Sequence, residues 1–240
     1  MLHSKKRTGD KFIKEYESVL NAFTNTINEL ILGDKCNDTE KLLEYVLKLL
    51  GKKRCGETSF KLMHEVYNLD YDTFVHSLNV ALISHEIAVW AGLPKEEQEL
   101  ATMCGLLHDI GKLQIDSAIL KKPGLLTAEE RACIQEHPIR GFELLLKSPT
   151  SDVHVRNAVL MHHERWDGSG YPYGLKGEQI DKYARIVAIA DVYDAMTADR
   201  VYRAAIDPQK VLQKMSRDSS VYDSFFFRIF LQHVSEIMAA

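Results

Sequence analysis

Apolar residues recur at three- and four-residue spacing along nearly the whole chain, and no alternating β-branched run of strand length interrupts them. A sequence with that period buries its apolar surface by packing helices on helices, so the expected fold is all-α. Residues 11–32 (Phe12, Tyr16, Val19, Leu20, Phe23, Ile27, Leu30) and 39–50 read as two amphipathic helices separated by GDKCND, and a short basic break, GKKRCG, follows at 51–56. A boundary near residue 60 divides an N-terminal helical region, 1–60, from a main domain, 61–240. Further helices are expected at about 73–91, closed by AGLP, and at 95–110, 151–163 and 179–200, with two more within 208–238. Thr127 to Glu130 has the form of a capping box, and the aromatic run FFFRIF at 225–230 reads as core.

Composition narrows the function. With 240 residues, 45% hydrophobic and 27% charged, the chain reads as soluble and globular. A net charge of -4 provides no basic field, which argues against a nucleic acid duplex as partner while leaving room for a local phosphate site. Cys36, Cys55, Cys104 and Cys133 stand singly, as reduced thiols do, so a cytoplasmic location is expected. No apolar h-region follows the amino terminus and no stretch approaches the roughly 20 apolar residues of a membrane span, so neither export nor membrane anchoring is expected.

The stretch MHHERWDGSGYPYG at 161–174 is hard to explain as packing. Adjacent His162 and His163 point about 100° apart around a helix axis, which suits two neighbouring ions better than one. An isolated His-His pair is nevertheless more often one buried and one surface histidine. His108 and Asp109 end the helix near residue 100, beside a stripe of small residues (Ala101, Cys104, Gly105) whose flanks leave room. Taken alone, a His-Asp dipeptide is an ordinary hydrogen-bonded histidine. Asp191 and Asp194 lie three apart along a stripe with Val187 and Ala198, where two carboxylates would repel and lose hydration unless a cation joined them; the alternative is that this stripe faces solvent. Asp72 and His76, four apart, share a helix face if the helix begins early enough, and His137 before Pro138 is unremarkable by itself. The combined donors are nitrogen and oxygen only, a set for iron, manganese or zinc rather than a thiolate zinc site. His3, His64, His85, His154 and His233 are left as ordinary packing or surface histidines.

His76-Ser77, LHDIGK at 107–112, KPGLLTAEE at 122–130, His137-Pro138, HHERWDGSGYP at 162–172 and ADVYDAMTADR at 190–200 occur in that order. Over residues 65 to 235 this series resembles the HD-GYP family, a subset of the HD superfamily of metal-dependent phosphohydrolases. The resemblance implies an all-α HD bundle with a GYP loop, two or three divalent ions, iron or manganese, and hydrolysis of cyclic di-GMP to linear pGpG, with or without further cleavage to GMP, by a hydroxide held between ions. It implies metal ligation by His76, His108, Asp109, His137, His162, His163 and Asp191, with Asp72 standing where some members have a third-metal glutamate. Asp109 and Lys112 would be catalytic. Lys112, Gly170, Tyr171, Pro172, Asp194, Arg200 and Arg203 would contact substrate, although Val201 departs from the proline usual there. Other outcomes are a mixed guanine-adenine cyclic dinucleotide as substrate, or a catalytically silent binding module. Residues 1–60 resemble nothing nameable; their amphipathic pattern suits a hairpin on the main domain, a homodimer or signalling-partner surface, or an extra layer of core.

Overall fold

The computed structural model describes residues 13–27, 43–48, 73–147, 152–198 and 205–239, and among these every regular element is helical. Helix α1 covers 13–27 and α2 covers 43–48. Helices α3 (Thr73–Trp90) and α4 (Lys95–Leu107) form an antiparallel pair across the Ala91–Pro94 turn, where Gly92 takes φ +69°. A 3-10 turn, Ile110–Gln114, leads into α5 (Ser117–Leu120), α6 (Ala128–Gln135) and α7 (His137–Leu146). Then come α8 (Val153–Met161), α9 (Lys182–Thr197), α10 (Pro208–Arg217) and α11 (Ser224–Ala239).

Local chemistry sets several of these ends. The capping box is present: Thr127 Oγ1 accepts from Glu130 N–H at 3.2 Å, and Glu130 Oε2 accepts from Thr127 N–H at 2.8 Å. Asp152, Asp181 and Asp207 cap α8, α9 and α10 through their side chains. The helix expected over 95–110 stops at Leu107, and the chain tightens into the 3-10 turn past His108 and Asp109.

Helices α3 and α9 are the centre. From Val75 to Ala88 every residue of α3 is buried, and α9 is buried on almost all sides by α3, α4, α8, α10 and α11. Val187, Asp191, Asp194 and Ala198 all lie inside, so the solvent-facing alternative for that stripe is excluded. The small stripe on α4 does not leave room, as the sequence alone suggested. A Cβ at Gly105 would sit 2.8 Å from Ala81 Cα, so the glycine lets α3 and α4 approach in backbone contact. Phe226, Phe227 and Phe230 of the aromatic run are core, whereas Phe225 is exposed. Tyr16, Val19, Phe23, Ile27 and Val46 belong to the same apolar cluster, and Tyr16 donates its hydroxyl to Asn79 Oδ1 on α3 at 2.8 Å. The boundary near residue 60 lies outside the described residues.

Candidate metal centre

Five helices converge at one end of the α3–α9 pair. Helix α3 supplies His76; the end of α4 supplies His108 and Asp109; the start of α7 supplies His137. The end of α8 supplies His162 and His163, and α9 supplies Asp191. All are buried except His163, whose side chain is 18% exposed. Two compact donor groups result, one of Asp109, His137, His162 and His163, the other of His76, His108 and Asp109, each with donor atoms within 4.8 Å of one another.

Asp109 belongs to both groups, and its two oxygens divide between them. Oδ2 lies 3.4 Å from His108 Nε2 and 3.6 Å from His76 Nε2, while Oδ1 lies 3.2 Å from His137 Nε2 and 3.8 Å from His162 Nε2. That is the placement of a carboxylate able to bridge two ions. Asp191 Oδ1 is 3.0 Å from His76 Nε2, which adds a second carboxylate to the His76 side.

The rings are aimed by their other nitrogens. His108, His137 and His162 each place Nδ1 2.7–2.8 Å from the carbonyl oxygen three residues earlier, on Gly105, Ile134 and Val159. Donation there leaves Nε2 as a lone pair directed inward. His76 differs, because its Nδ1 meets Asp194 Oδ2 at 2.7 Å. Asp194, expected in the ligand pocket, is fully buried behind His76, where it cannot reach a substrate in this arrangement.

The donor set fits a pair of cations. His108 Nε2 and Asp109 Oδ1 are buried without a hydrogen bond among the described residues, a state that protein interiors rarely leave uncompensated. Burial disfavours charge on His76, but Asp191 and Asp194 outweigh it and raise its pKa to about 9, so a proton gathers where a cation would sit. Burial pulls His163 down to about 3 and holds His162 well below the usual imidazole range, aided by neighbouring histidines; both are neutral and ready to ligate. For Asp109, burial alone would raise the pKa, yet Lys112 and His108 hold it well below the carboxylate range. Burial is likewise overcome at Asp191, chiefly by His76. Lys112 Nζ stands 2.5 Å from Asp109 Oδ2 with its side chain 24% exposed, so it joins the cluster to the open side.

The glycine-rich loop is built onto the cluster. Gly170 packs where a Cβ would be 2.4 Å from Arg165 N and 2.5 Å from His163 O, so only glycine lets the chain fold back there. Tyr171 then stacks on His163, with ring centroids 4.7 Å apart. Glu164, which sequence reasoning missed, is buried and accepts backbone N–H groups from Tyr173 at 2.7 Å and Leu175 at 3.0 Å. Its only signal in the sequence is its place between the histidine pair and the loop. Trp166 ties the loop to the chain before α11 through its N–H to Val221 O, and its ring faces the Arg185 guanidinium, itself paired with Asp223. Asp72, Arg200 and Arg203 lie outside the described residues. Of the histidines set aside, His85 meets Thr102, His154 meets Asp181 and His233 stacks on Trp90, all away from the cluster; His3 and His64 are outside the described residues. No helix among the described residues is long and apolar enough to cross a membrane.

Comparison with known proteins agrees with this geometry. A family profile described as HD domain matches residues 40–225. A cyclic di-GMP phosphodiesterase of Pseudomonas aeruginosa is 39% identical over 165 residues, covering 69% of this chain and 40% of that protein. A 3'3'-cGAMP-specific phosphodiesterase of Vibrio cholerae is 42% identical over 158 residues, 63% of this chain and 36% of that protein. The chain thus spans about two fifths of the length of these relatives. An HDG"Y"P protein from Bdellovibrio bacteriovorus shares the fold with a TM-score of 0.74 at 18% identity, over 95% of this chain and 73% of that one.

Proposed function

The chain belongs to the HD domain family and carries the HD-GYP motifs, and on that premise we propose that it opens a cyclic dinucleotide, cyclic di-GMP, to linear pGpG, with or without further cleavage to GMP. The observation that carries this reading is the pair of donor clusters sharing Asp109, an arrangement suited to two divalent ions flanking one phosphodiester. His76, His108, Asp109 and Asp191 would hold one ion, and Asp109, His137, His162 and His163 the other. Donors of imidazole and carboxylate without thiolate suit iron or manganese. Bound there, such ions supply Lewis acidity toward a phosphoryl oxygen and make water a competent nucleophile at neutral pH.

The chain's own residues do the rest. The inward Nε2 atoms and the two Asp109 oxygens would hold the ions and so set where a phosphodiester is bound. Lys112, beside Asp109 and partly exposed, is placed to turn toward a non-bridging oxygen or the departing ribose oxygen as negative charge grows. Gly170 packs against the His163 backbone, and Tyr171 stacks on the His163 ring and covers that face. Asp72 as a third-ion ligand, and Arg200 and Arg203 as contacts to the second phosphate, are assigned from the resemblance. Residues 1–60 are assigned a regulatory or dimerising role, with α1 seated on α3 through Tyr16.

Protein purified without air and supplied with Mn²⁺ or Fe²⁺ should convert cyclic di-GMP to the linear dinucleotide, and Asp109→Ala should not. A fully metallated wild type that binds cyclic di-GMP without product would overturn the reading in favour of a silent binding module. A second substrate, 3'3'-cGAMP, is favoured by the Vibrio relative of that specificity at similar identity, and parallel assays of the two substrates decide between them.

A further inference from the structure

The two donor groups differ in one respect that the motifs do not reveal. On the side of Asp109, His137, His162 and His163, the Nδ1–H groups of His137 and His162 go to neutral backbone carbonyls. On the other side a single imidazole, His76, is gripped at both nitrogens by carboxylates one helical turn apart on α9: Asp191 at Nε2, 3.0 Å, and Asp194 at Nδ1, 2.7 Å. Both donor groups count Asp109, but Asp191 lies nearer the His76 side, 3.0 Å from His76 Nε2 against 3.9 Å from His163 Nδ1, and among the described residues only His76 has a buried carboxylate on its Nδ1. A carboxylate accepting the Nδ1–H of a ligating histidine fixes the tautomer and makes the far nitrogen a stronger donor, and its loss typically weakens metal affinity by roughly 10- to 100-fold.

We infer that the two cation positions are unequal, the His76 position binding a divalent cation first and more tightly, and that Asp194 is the positioning residue that makes it so. This rests on the metal-cluster reading but on no assumption about substrate. Asp194 is fully buried with Oδ2 on His76 Nδ1, and through that contact it acts on the donor cluster. An asparagine keeps the shape and an oxygen acceptor while removing the charge.

The test is calorimetric titration of the chelator-stripped full chain with Mn²⁺. Wild type should show two resolved binding events. In Asp194→Asn the tighter event should weaken roughly 10- to 100-fold while the weaker one stays in place, serving as an internal measure of an intact fold. Asp191→Asn should also weaken the tighter event. Two events of equal affinity in wild type, or an unchanged tighter event in Asp194→Asn, would overturn the inference. Loss of both events in Asp194→Asn and in a second variant, Asp194→Ser, would show a structural strut instead, and equally overturn it. Because no nucleotide is present, failure here is distinct from failure to hydrolyse cyclic di-GMP.

Discussion

Gly111 separates the geometry of the centre from its ligand chemistry, since it donates no metal ligand. A Cβ built there would lie 1.9 Å from the His137 carbonyl oxygen and 2.5 Å from Gly141 N. Real contacts of this kind do not fall under 3.0 Å, and both neighbours are backbone, so the 3-10 turn and α7 must part by more than 1 Å in Gly111→Ala. His137 opens α7, so its imidazole moves with that shift while Asp109 stays on the other side. Overpacking of this sort costs about 1–3 kcal/mol, which for a chain of this size lowers the melting temperature by roughly 2–12 °C. A misplacement near 1 Å at a catalytic group costs on the order of 100-fold in rate. Gly92→Ala is the control: its φ of +69° also penalises alanine, by about 1–2 kcal/mol, but nothing lies within 4 Å of the new Cβ. Both variants should melt early, and only Gly111→Ala should lose Mn²⁺ affinity in calorimetry. Wild-type Mn²⁺ binding by Gly111→Ala, or equal loss in Gly92→Ala, would refute the argument that this close approach sets the position of His137.

Other outcomes follow from the same contacts. Glu164→Ala strands two loop N–H groups, at a cost of about 1–3 kcal/mol for each that stays buried, and hydrogen exchange at Tyr173 and Leu175 should quicken while the rest of the chain keeps its protection. Adding EDTA should lower the melting temperature of the metal-loaded protein and Mn²⁺ should restore it, because ions bound only by the folded state stabilise it by mass action. The metal-free chain should lose stability as pH falls below about 6.5, since His162 and His163 stay neutral when folded but bind protons when unfolded, worth up to about 1.4 kcal/mol per pH unit for each. His76 works in the opposite sense at higher pH: its contribution is full below about 6.5 and lost as pH rises through about 9. Denaturation midpoints measured across pH 4 to 9 should therefore pass through a maximum, and a flat profile would contradict these shifts. Tyr171→Phe keeps the stack on His163, whereas Tyr171→Ala removes it, so only the latter should change Mn²⁺ affinity.

Much of the centre was legible because its donors sit at punctuation marks. His108 and Asp109 follow the last residue of α4, His137 opens α7, and His162 and His163 follow α8. Helix ends are where a side chain can leave the packed stripe, and caps and breakers mark them in the sequence. Asp194 was misjudged for the complementary reason. Three residues from Asp191 along one helix, it looks as available to solvent or ligand as its neighbour, and only the packing of α3 against α9 turns it toward the back of His76. Glu164 was invisible because its partners are backbone N–H groups of a loop, which any sequence could offer. The small residues of α4 were noticed and misread: Gly105 brings α3 into backbone contact, so the space it leaves is filled by Ala81.

Period and end signals in the sequence were enough to predict the helices of the described residues, because helix periodicity and helix termini are local properties, while the set of candidate nitrogen and oxygen donors came from the ordered motifs and the resemblance they carry. Which Asp109 oxygen faces which histidines, which carboxylate backs a ligand, and how close two helices come at Gly105 and Gly111 were decided by the tertiary structure. Those are distances between elements far apart in the chain, and no local pattern of residues encodes them.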